Sequence, residues 1–485
     1  MKKSTIGLIL FLSIFLVSCT RNEGILTPPI KTEPTLPNET PYMDETKFYN
    51  SFGFSSLIIT DRSEVVDGFV DVYDEVDFLD ALLDSTTKII RIHDYLALGS
   101  IEVNARLNEQ NKSLDTYKNV YRAHSRQALM HPTLVESGVG QIRIIDRSDL
   151  MIYSEVGIKI THASFVIDRS ENIVFRNLHL SELWEWDEDS LGQYKRNDWD
   201  YFTVEESNGI WFDHLTFDNA YDGIIDVKEK SENLTLSWSK LNFTPNPFID
   251  AQIDDLELNI ENRPYYKSLR DEGISVEDLK VFASFQKKGF NLGNTTDGTG
   301  FESITMTFHH LEVFNLMDRM PRVRKGDVHL YHNVIDNKQL HDLRLKLNSP
   351  NLSFVNQAIV TTEGGAVLME HSILKYVTTP IKNHQDTDLD TKYTGSYKVV
   401  NSELVSSSRT YFGSSDDPFT LWVHSGSNDL IPFTFRNYDE LPYHYQLQDV
   451  FYLKETFEIY PTGSQTEPDF NWLFIDNTLH NKGEI

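Results

Sequence analysis

Asp198-Trp-Asp200 and Asp222-Gly-Ile-Ile-Asp226 each set two carboxylates at an even spacing, and the second pair follows the first after about two dozen residues. Residues separated by an even number along a strand share a face, so both members of each pair project together. If the two pairs stack on neighbouring strands, four carboxylates come within several ångströms of one another. Crowding of like charge raises their pKa values unless a cation neutralises them. Hard oxygen donors without His or Cys suit Ca²⁺. Each pair alone reads as ordinary turn chemistry; the spacing of the two together is what points to a metal.

A second cluster has the opposite sign. Arg319-Met-Pro-Arg-Val-Arg324-Lys places three arginines and a lysine within seven residues of a chain whose formal net charge is −29. A basic knot in an acidic protein is a place to hold an anion. The following Val328-His-Leu-Tyr-His-Asn333 alternates like a strand, so the arginines sit where a turn leads into it. The plainer alternative is an edge strand guarded by charged residues. Lys287-Lys288 lies upstream, just before the coil that leads to Arg319. The acidic total excludes a nucleic-acid binder, which needs a basic surface.

The elements that must position these residues form a repeat. Ile173-Val-Phe-Arg-Asn177, Ile210-Trp-Phe-Asp-His214, Leu234-Thr-Leu-Ser-Trp238, Ile304-Thr-Met-Thr-Phe308, Val328-His-Leu-Tyr-His332 and Val367-Leu-Met-Glu-His371 are five-residue strands with apolar first and third positions. The clearest neighbours, 210 to 234 and 304 to 328, are each 24 residues apart. Such strands bury their inward faces by stacking about 4.8 Å apart. A β-sandwich would show closer spacing and hairpin turns, so the period predicts an all-β, right-handed parallel β-helix. A short amphipathic helix is expected over residues 72–84 and a strand over Lys88–His93. An insertion at about residues 244–284 interrupts the repeat, with Ser275-Val-Glu-Asp278 as a helix start. Within it, Tyr265 and Tyr266 are expected to pack the loop against the coil.

At 485 residues, with one cysteine, the chain builds a sizeable core without intrachain disulfides. Residues 1–18 read as a bacterial lipoprotein signal peptide: Lys2-Lys3, an apolar run from Ile6 to Val17, then Ser18 before Cys19. Cleavage there would leave an acylated Cys19 as a membrane anchor. Residues 19–42, with Pro28, Pro29, Pro34, Pro37 and Pro41, are a semi-extended tether. Residues 43–485 are then the β-helix domain of an exported, tethered monomer, on the cell surface or in the periplasm.

Over residues 158–340 the order of motifs resembles the pectate lyase family, polysaccharide lyase family one. The run comprises Asp198-Trp-Asp200, Ile210-Trp-Phe-Asp213-His214, Asp222–Asp226, Lys288 ahead of Gly293, His309-His310, Arg319–Arg324 and His329–Asn333. Leu441-Pro-Tyr-His-Tyr-Gln-Leu447 is similar to the family's closing segment. The resemblance implies calcium ligands at Asp198, Asp200, Asp222 and Asp226, substrate carboxylates held by Lys288 and Arg324, and Arg319 as the proton-abstracting base. It implies β-elimination on α-1,4-galacturonan (polygalacturonate, pectate), with the acidic substrate bridged to an acidic protein by calcium. Asp213 and His214 are expected to bond within the coil. A guanidine base also implies an alkaline optimum, with neighbouring cations easing its deprotonation. The departures from the family pattern are the insertion and the region before residue 150. The rival readings are pectin lyase, whose neutral substrate needs no carboxylate cluster, and a non-catalytic pectin- or calcium-binding surface lipoprotein. A β-helix glycosidase is a third, and it leaves the arginines without a role.

Overall fold

The computed structural model describes residues 50–124, 128–347, 349–384, 391–407, 410–413, 423–424, 432–466 and 471–475. The signal peptide, Cys19 and the tether lie outside the described residues. Strands Glu171–Ser181, Asn208–Asp213, Glu232–Ser237, Thr305–His309, Asp327–Tyr331 and Ala366–Glu370 pair in parallel, each with the next. Ile173, Ile210, Leu234, Met306, Val328 and Val367 therefore stack in one column, and Phe175, Phe212, Leu236, Phe308, Leu330 and Met369 in another. All of them are buried. Truncating one such aromatic, as in Phe212→Ala, costs about 3–5 kcal/mol because the stacked neighbours cannot collapse into the gap.

One register differs from the sequence expectation. Met306, not Ile304, pairs with Leu234 and Val328, so that step spans 22 residues rather than 24. Ile304 sits in the preceding turn and is also buried. A slip of two residues keeps the same face inward, so alternation alone cannot separate the two registers.

Each coil crosses to a second sheet of ten strands. In order these are Tyr121–Ala123, Gly140–Ile145, Ala163–Asp168, Phe202–Glu205, Ile225–Val227, Phe290–Leu292, Arg322–Arg324, Gln357–Thr362, Thr379–Lys382 and Val423–His424. Every pairing is parallel except the first, where Tyr121–Ala123 runs antiparallel to Gly140–Ile145. The strands wind with the right-handed crossover expected of parallel sheets, giving a right-handed parallel β-helix. Its interior holds one continuous apolar core, in which Phe165, Phe175, Phe202 and Phe212 pack ring against ring.

Helix Glu75–Leu83 buries Val76, Phe78, Leu79 and Leu82, and Asp74 caps it by accepting from the amides of Val76 and Asp77. The strand at Lys88–His93 is present as Ile89–Ile92. Three further helices before residue 150, Ser100–Glu109, Leu114–Tyr117 and Pro132–Ser137, were not anticipated. Only Val103 and Leu107 of the longest are buried, so its periodicity is faint. The insertion folds as helices Pro247–Leu258, Pro264–Asp271 and Val276–Ala283, with Ser275 Oγ accepting from Asp278 N at 3.1 Å. Tyr265 and Tyr266 are buried and pack on Trp186.

Candidate active site

The acidic and basic clusters meet on neighbouring strands of the ten-stranded sheet. Asp198 and Asp200 lead into Phe202–Glu205, Asp222 leads into Ile225–Val227, and Asp226 lies within that strand. Oxygen atoms of Asp198, Asp200 and Asp222 all lie within 4.8 Å of one another. Two oxygens on one Ca²⁺ at about 2.3–2.6 Å can stand no more than about 5 Å apart, so this spacing fits a single ion. Asp226 stands outside that group. Its Oδ1 accepts from Asn291 Nδ2 at 2.9 Å, one strand further along.

Gly223 is what lets Asp200 sit where it does. Its amide donates to Asp200 Oδ1 at 2.6 Å, and a Cβ at this position would lie 2.6 Å from that oxygen and 3.0 Å from the Gly289 carbonyl. Burial, together with Asp222, Asp226 and Asp198, pushes the Asp200 carboxyl well above the usual carboxylate range. Burial also lifts Asp226 to about 6, with Asp198 and Asp222 adding to the shift and Lys228 and Asn291 opposing it. Crowded, desolvated carboxylates made only of hard oxygens are the donor set a divalent oxygen-ligated cation fits.

The basic groups stand on the next two strands. Lys288 Nζ pairs with Asp222 Oδ1 and so belongs to the acidic cluster's edge. Lys287 turns away, its Nζ 3.6 Å from the centre of the Phe282 ring. Arg319 precedes Arg322–Arg324, and its Nε lies 3.9 Å from Asp318 Oδ2, while Asp318 Oδ1 accepts from Gln357 Nε2 at 2.6 Å. The Arg319 carbonyl accepts from Phe290 N at 2.8 Å, a close approach made possible by Gly289, where a Cβ would meet that carbonyl oxygen at 2.5 Å. Lys288 and Arg319 are thereby fixed on adjacent coils. Arg324 is buried, donates to the Gly293 carbonyl, and places Nη1 3.4 Å from Asn291 Oδ1 and Nε 3.5 Å from Glu363 Oε1. Burial, with Arg322 beside it, brings its pKa down to about 10.

The structure thus brings Asp198, Asp200, Asp222 and Lys288 into one cluster and sets Asp226, Arg319 and Arg324 around it. Sequence reasoning passed over Asn291, which links Asp226 to Arg324; its signal is its place opposite Asp226 on the next coil. Gly223, Asp318 and Gln357 were also passed over, being recognisable only from contacts between coils. Asp213 and His214 do bond within the coiled body, with Asp213 held by Arg176, His214 and Ser237 on the far sheet.

A family model described as "Pectate lyase" matches residues 144–257. Pectate lyase B of Paenibacillus amylolyticus is 35% identical over 331 residues, which cover 65% of this chain and 82% of that protein. Pectate trisaccharide-lyase of Thermotoga maritima is 28% identical over 201 residues, 41% of this chain and 43% of that one. Among solved structures, a pectate lyase from Paenibacillus sp. 0602 superposes with a TM-score of 0.79 at 31% identity, covering 88% of this chain and 98% of that chain.

Proposed function

The chain belongs to the pectate lyase family and is a polysaccharide lyase, and from that premise we propose that it cleaves α-1,4-galacturonan by calcium-dependent β-elimination, releasing unsaturated oligogalacturonides. The observation that carries this reading is the meeting of Asp198, Asp200 and Asp222 within 4.8 Å, one and two strands from Lys288 and Arg319. Asp198, Asp200, Asp222 and Asp226 would hold the ion, which when bound neutralises the uronate carboxylate and so eases removal of the adjacent proton.

The residues themselves do the rest. Arg319 takes the proton from C5 of a galacturonate ring, the C5–H electron pair becomes the C4=C5 double bond, and the C4–O bond breaks with its electrons on the departing sugar oxygen. That oxygen takes its proton from solvent. Lys288 exchanges Asp222 for the substrate carboxylate. Arg324, fixed by Asn291 and Gly293, keeps a positive charge under the developing enolate. A guanidinium acts as a base only after losing its own proton, so the rate rises into the alkaline range.

A soluble form beginning near Pro41, incubated with polygalacturonate at alkaline pH, tests the reading through the ultraviolet absorbance of the new double bond. Absorbance that grows with calcium and stops with excess chelator is expected. Growth indifferent to chelator would sink the four-aspartate metal site. No growth in calcium from a folded protein would favour a non-catalytic pectin-binding lipoprotein. Export and anchoring through an acylated Cys19 belong to the same reading, since a lyase of a large extracellular polymer must stand outside the cytoplasm. Metabolic labelling with a fatty acid that is lost in Cys19→Ser checks it.

A further inference from the structure

Asp198 is the exposed member of the aspartate cluster, so burial does not hold its side chain in place. Its neighbours in the chain are tied instead. Arg196 N donates to the Tyr221 hydroxyl at 3.0 Å, and Tyr221 adjoins Asp222. Asp222 N in turn donates to the Trp199 carbonyl at 3.1 Å, so the two aspartate pairs are laced together on both sides of Asp198. A second tie comes from below. Asn197 Nδ2 donates to Glu185 Oε1 at 3.0 Å, and Arg196 Nη2 lies 3.6 Å from the same oxygen. The other oxygen, Oε2, accepts from Met130 N at 2.7 Å and His131 N at 3.2 Å, at the start of helix Pro132–Ser137. Glu185 and Tyr221 are both fully buried. Trp186 N, next to Glu185, donates to Gln252 Oε1 at 3.2 Å, and His131 stacks on Phe248; Gln252 and Phe248 belong to helix Pro247–Leu258. The region before residue 150 and the insertion, the two departures from the family pattern, therefore converge on Glu185.

From these contacts, and resting on the calcium-dependent reading above, we propose that Tyr221 and Glu185 are positioning residues for the metal: Tyr221 through Arg196 N, and Glu185 through Asn197, fix the bend that carries Asp198 so that its carboxylate stands with those of Asp200 and Asp222. An exposed carboxylate on a loose bend loses backbone and side-chain freedom when it binds an ion. A bend tied beforehand loses less, and the difference appears as calcium affinity. Groups that orient a ligand from behind carry about 10–100-fold in metal affinity. Glu185 suits the task because its contacts are all donors: two backbone amides on one oxygen, an amide and a guanidinium on the other, a set that a carboxylate satisfies from both sides. Neither residue touches the substrate or the reacting atoms in this assignment.

The test measures the calcium Kd by titration calorimetry, without substrate, for wild type, Tyr221→Phe, Asn197→Ala and Asp198→Asn, and for each of the first two substitutions combined with Asp198→Asn. Tyr221→Phe loses only the hydroxyl and keeps its ring against Trp199 and Tyr194, and Asn197 is partly exposed, so both variants fold. Each weakens calcium binding about tenfold when Asp198 is present. Added to Asp198→Asn, which has already lost the ligand they position, each weakens it no further. A merely structural role would lower the thermal midpoint in chelator without this coupling. Unchanged affinity in Tyr221→Phe overturns the role of Tyr221, and unchanged affinity in Asn197→Ala overturns that of Glu185. Equal losses with and without Asp198 overturn both, while leaving the lyase reading intact. A folded wild type that binds no calcium overturns the metal reading, and the positioning roles with it.

Discussion

Gly223 shows how narrowly single atoms define the metal-binding half of the site. Its amide holds Asp200, and the space a methyl group needs is taken by that carboxylate and by the Gly289 carbonyl. Gly223→Ala must push Asp200 out of the cluster. The expected result is about a tenfold weaker calcium requirement curve, measured as the calcium concentration giving half-maximal rate, with the circular dichroism spectrum preserved. Protons compete at the same oxygens. Asp226 stands at about 6 and burial beside the other aspartates also raises Asp200, so both must lose protons for the ion to bind. Calcium affinity, measured by titration calorimetry, should fall as pH drops through about 6; equal affinity at pH 5 and pH 8 would mean these carboxylates are not ligands. Arg319→Ala removes the base, and a loss of about 10²–10⁴ in kcat is expected with polygalacturonate binding retained. At this scale the sequence revealed residue types and even spacing, which was enough to find Asp198, Asp200 and Asp222. It could not reveal that Asn291 would take Asp226 as a hydrogen-bond acceptor or that Asp222 would hold Lys288, because both depend on which coil lies next.

The coil bends form an element of their own. Asn177, His214, Trp238, His310, His332 and His371 all adopt positive φ, between 44° and 54°, at equivalent points of successive coils. Stacked there, Trp238 lies 4.0 Å from His310, ring over ring, and His310 Nε2 approaches His332 Nδ1 at 3.1 Å. The C-terminal segment runs along this ladder. Gln448 N donates to His332 Nε2 at 2.9 Å, His371 Nδ1 meets the Gln448 carbonyl at 2.6 Å, Gly463 N donates to the Trp238 carbonyl at 2.7 Å, and Gln465 joins Asn177. Burial holds His309 down at about 3 and, with neighbouring imidazoles, keeps His310 and His332 well below the usual histidine range. The folded protein therefore refuses protons that the unfolded chain accepts from about pH 6.5 downwards, so stability is lost as pH falls below that value. His162 works in the opposite direction: burial lowers its pKa, but its bonds to Glu102 and Glu182 raise it overall, favouring the fold at low pH. Burial lowers His124, His131 and His329 as well. These six histidines outnumber His162 and the raised carboxylates Asp226 and Asp200, which also favour the metal-free fold as pH falls. The thermal midpoint should therefore drop between pH 7 and pH 5, as followed by calorimetry in excess chelator to remove the metal's contribution. A midpoint that holds or rises over this interval would show that the ladder does not govern acid stability. The strands of this ladder were readable because inward Ile, Leu and Phe recur with a fixed period. Its strap was not, because its residues bond to partners 77 to 288 positions away, and the three further helices before residue 150 were not, because they bury only scattered residues.

Across the whole molecule the charge opposes the substrate. A formal net charge of −29 repels polygalacturonate at long range, and the cations that would meet it, Lys288, Arg319 and Arg324, act only within the groove beside the aspartates. Screening separates the two. The Debye length shrinks from about 30 Å at 0.01 M salt to about 10 Å at 0.1 M, which cancels repulsion between the polymer and the distant acidic surface. Contacts at Lys288 and Arg324 act over a few ångströms and lose much less. At saturating calcium, kcat/KM on polygalacturonate should therefore rise as sodium chloride is increased over that range, and rise less on trigalacturonate, which carries three charges and meets fewer of the protein's. A basic polymer-binding protein behaves the other way, shedding affinity with every increment of salt. A steady fall from the lowest salt would mean that the groove's cations dominate the approach as well as the grip, and that the acidic surface is turned away from the incoming chain.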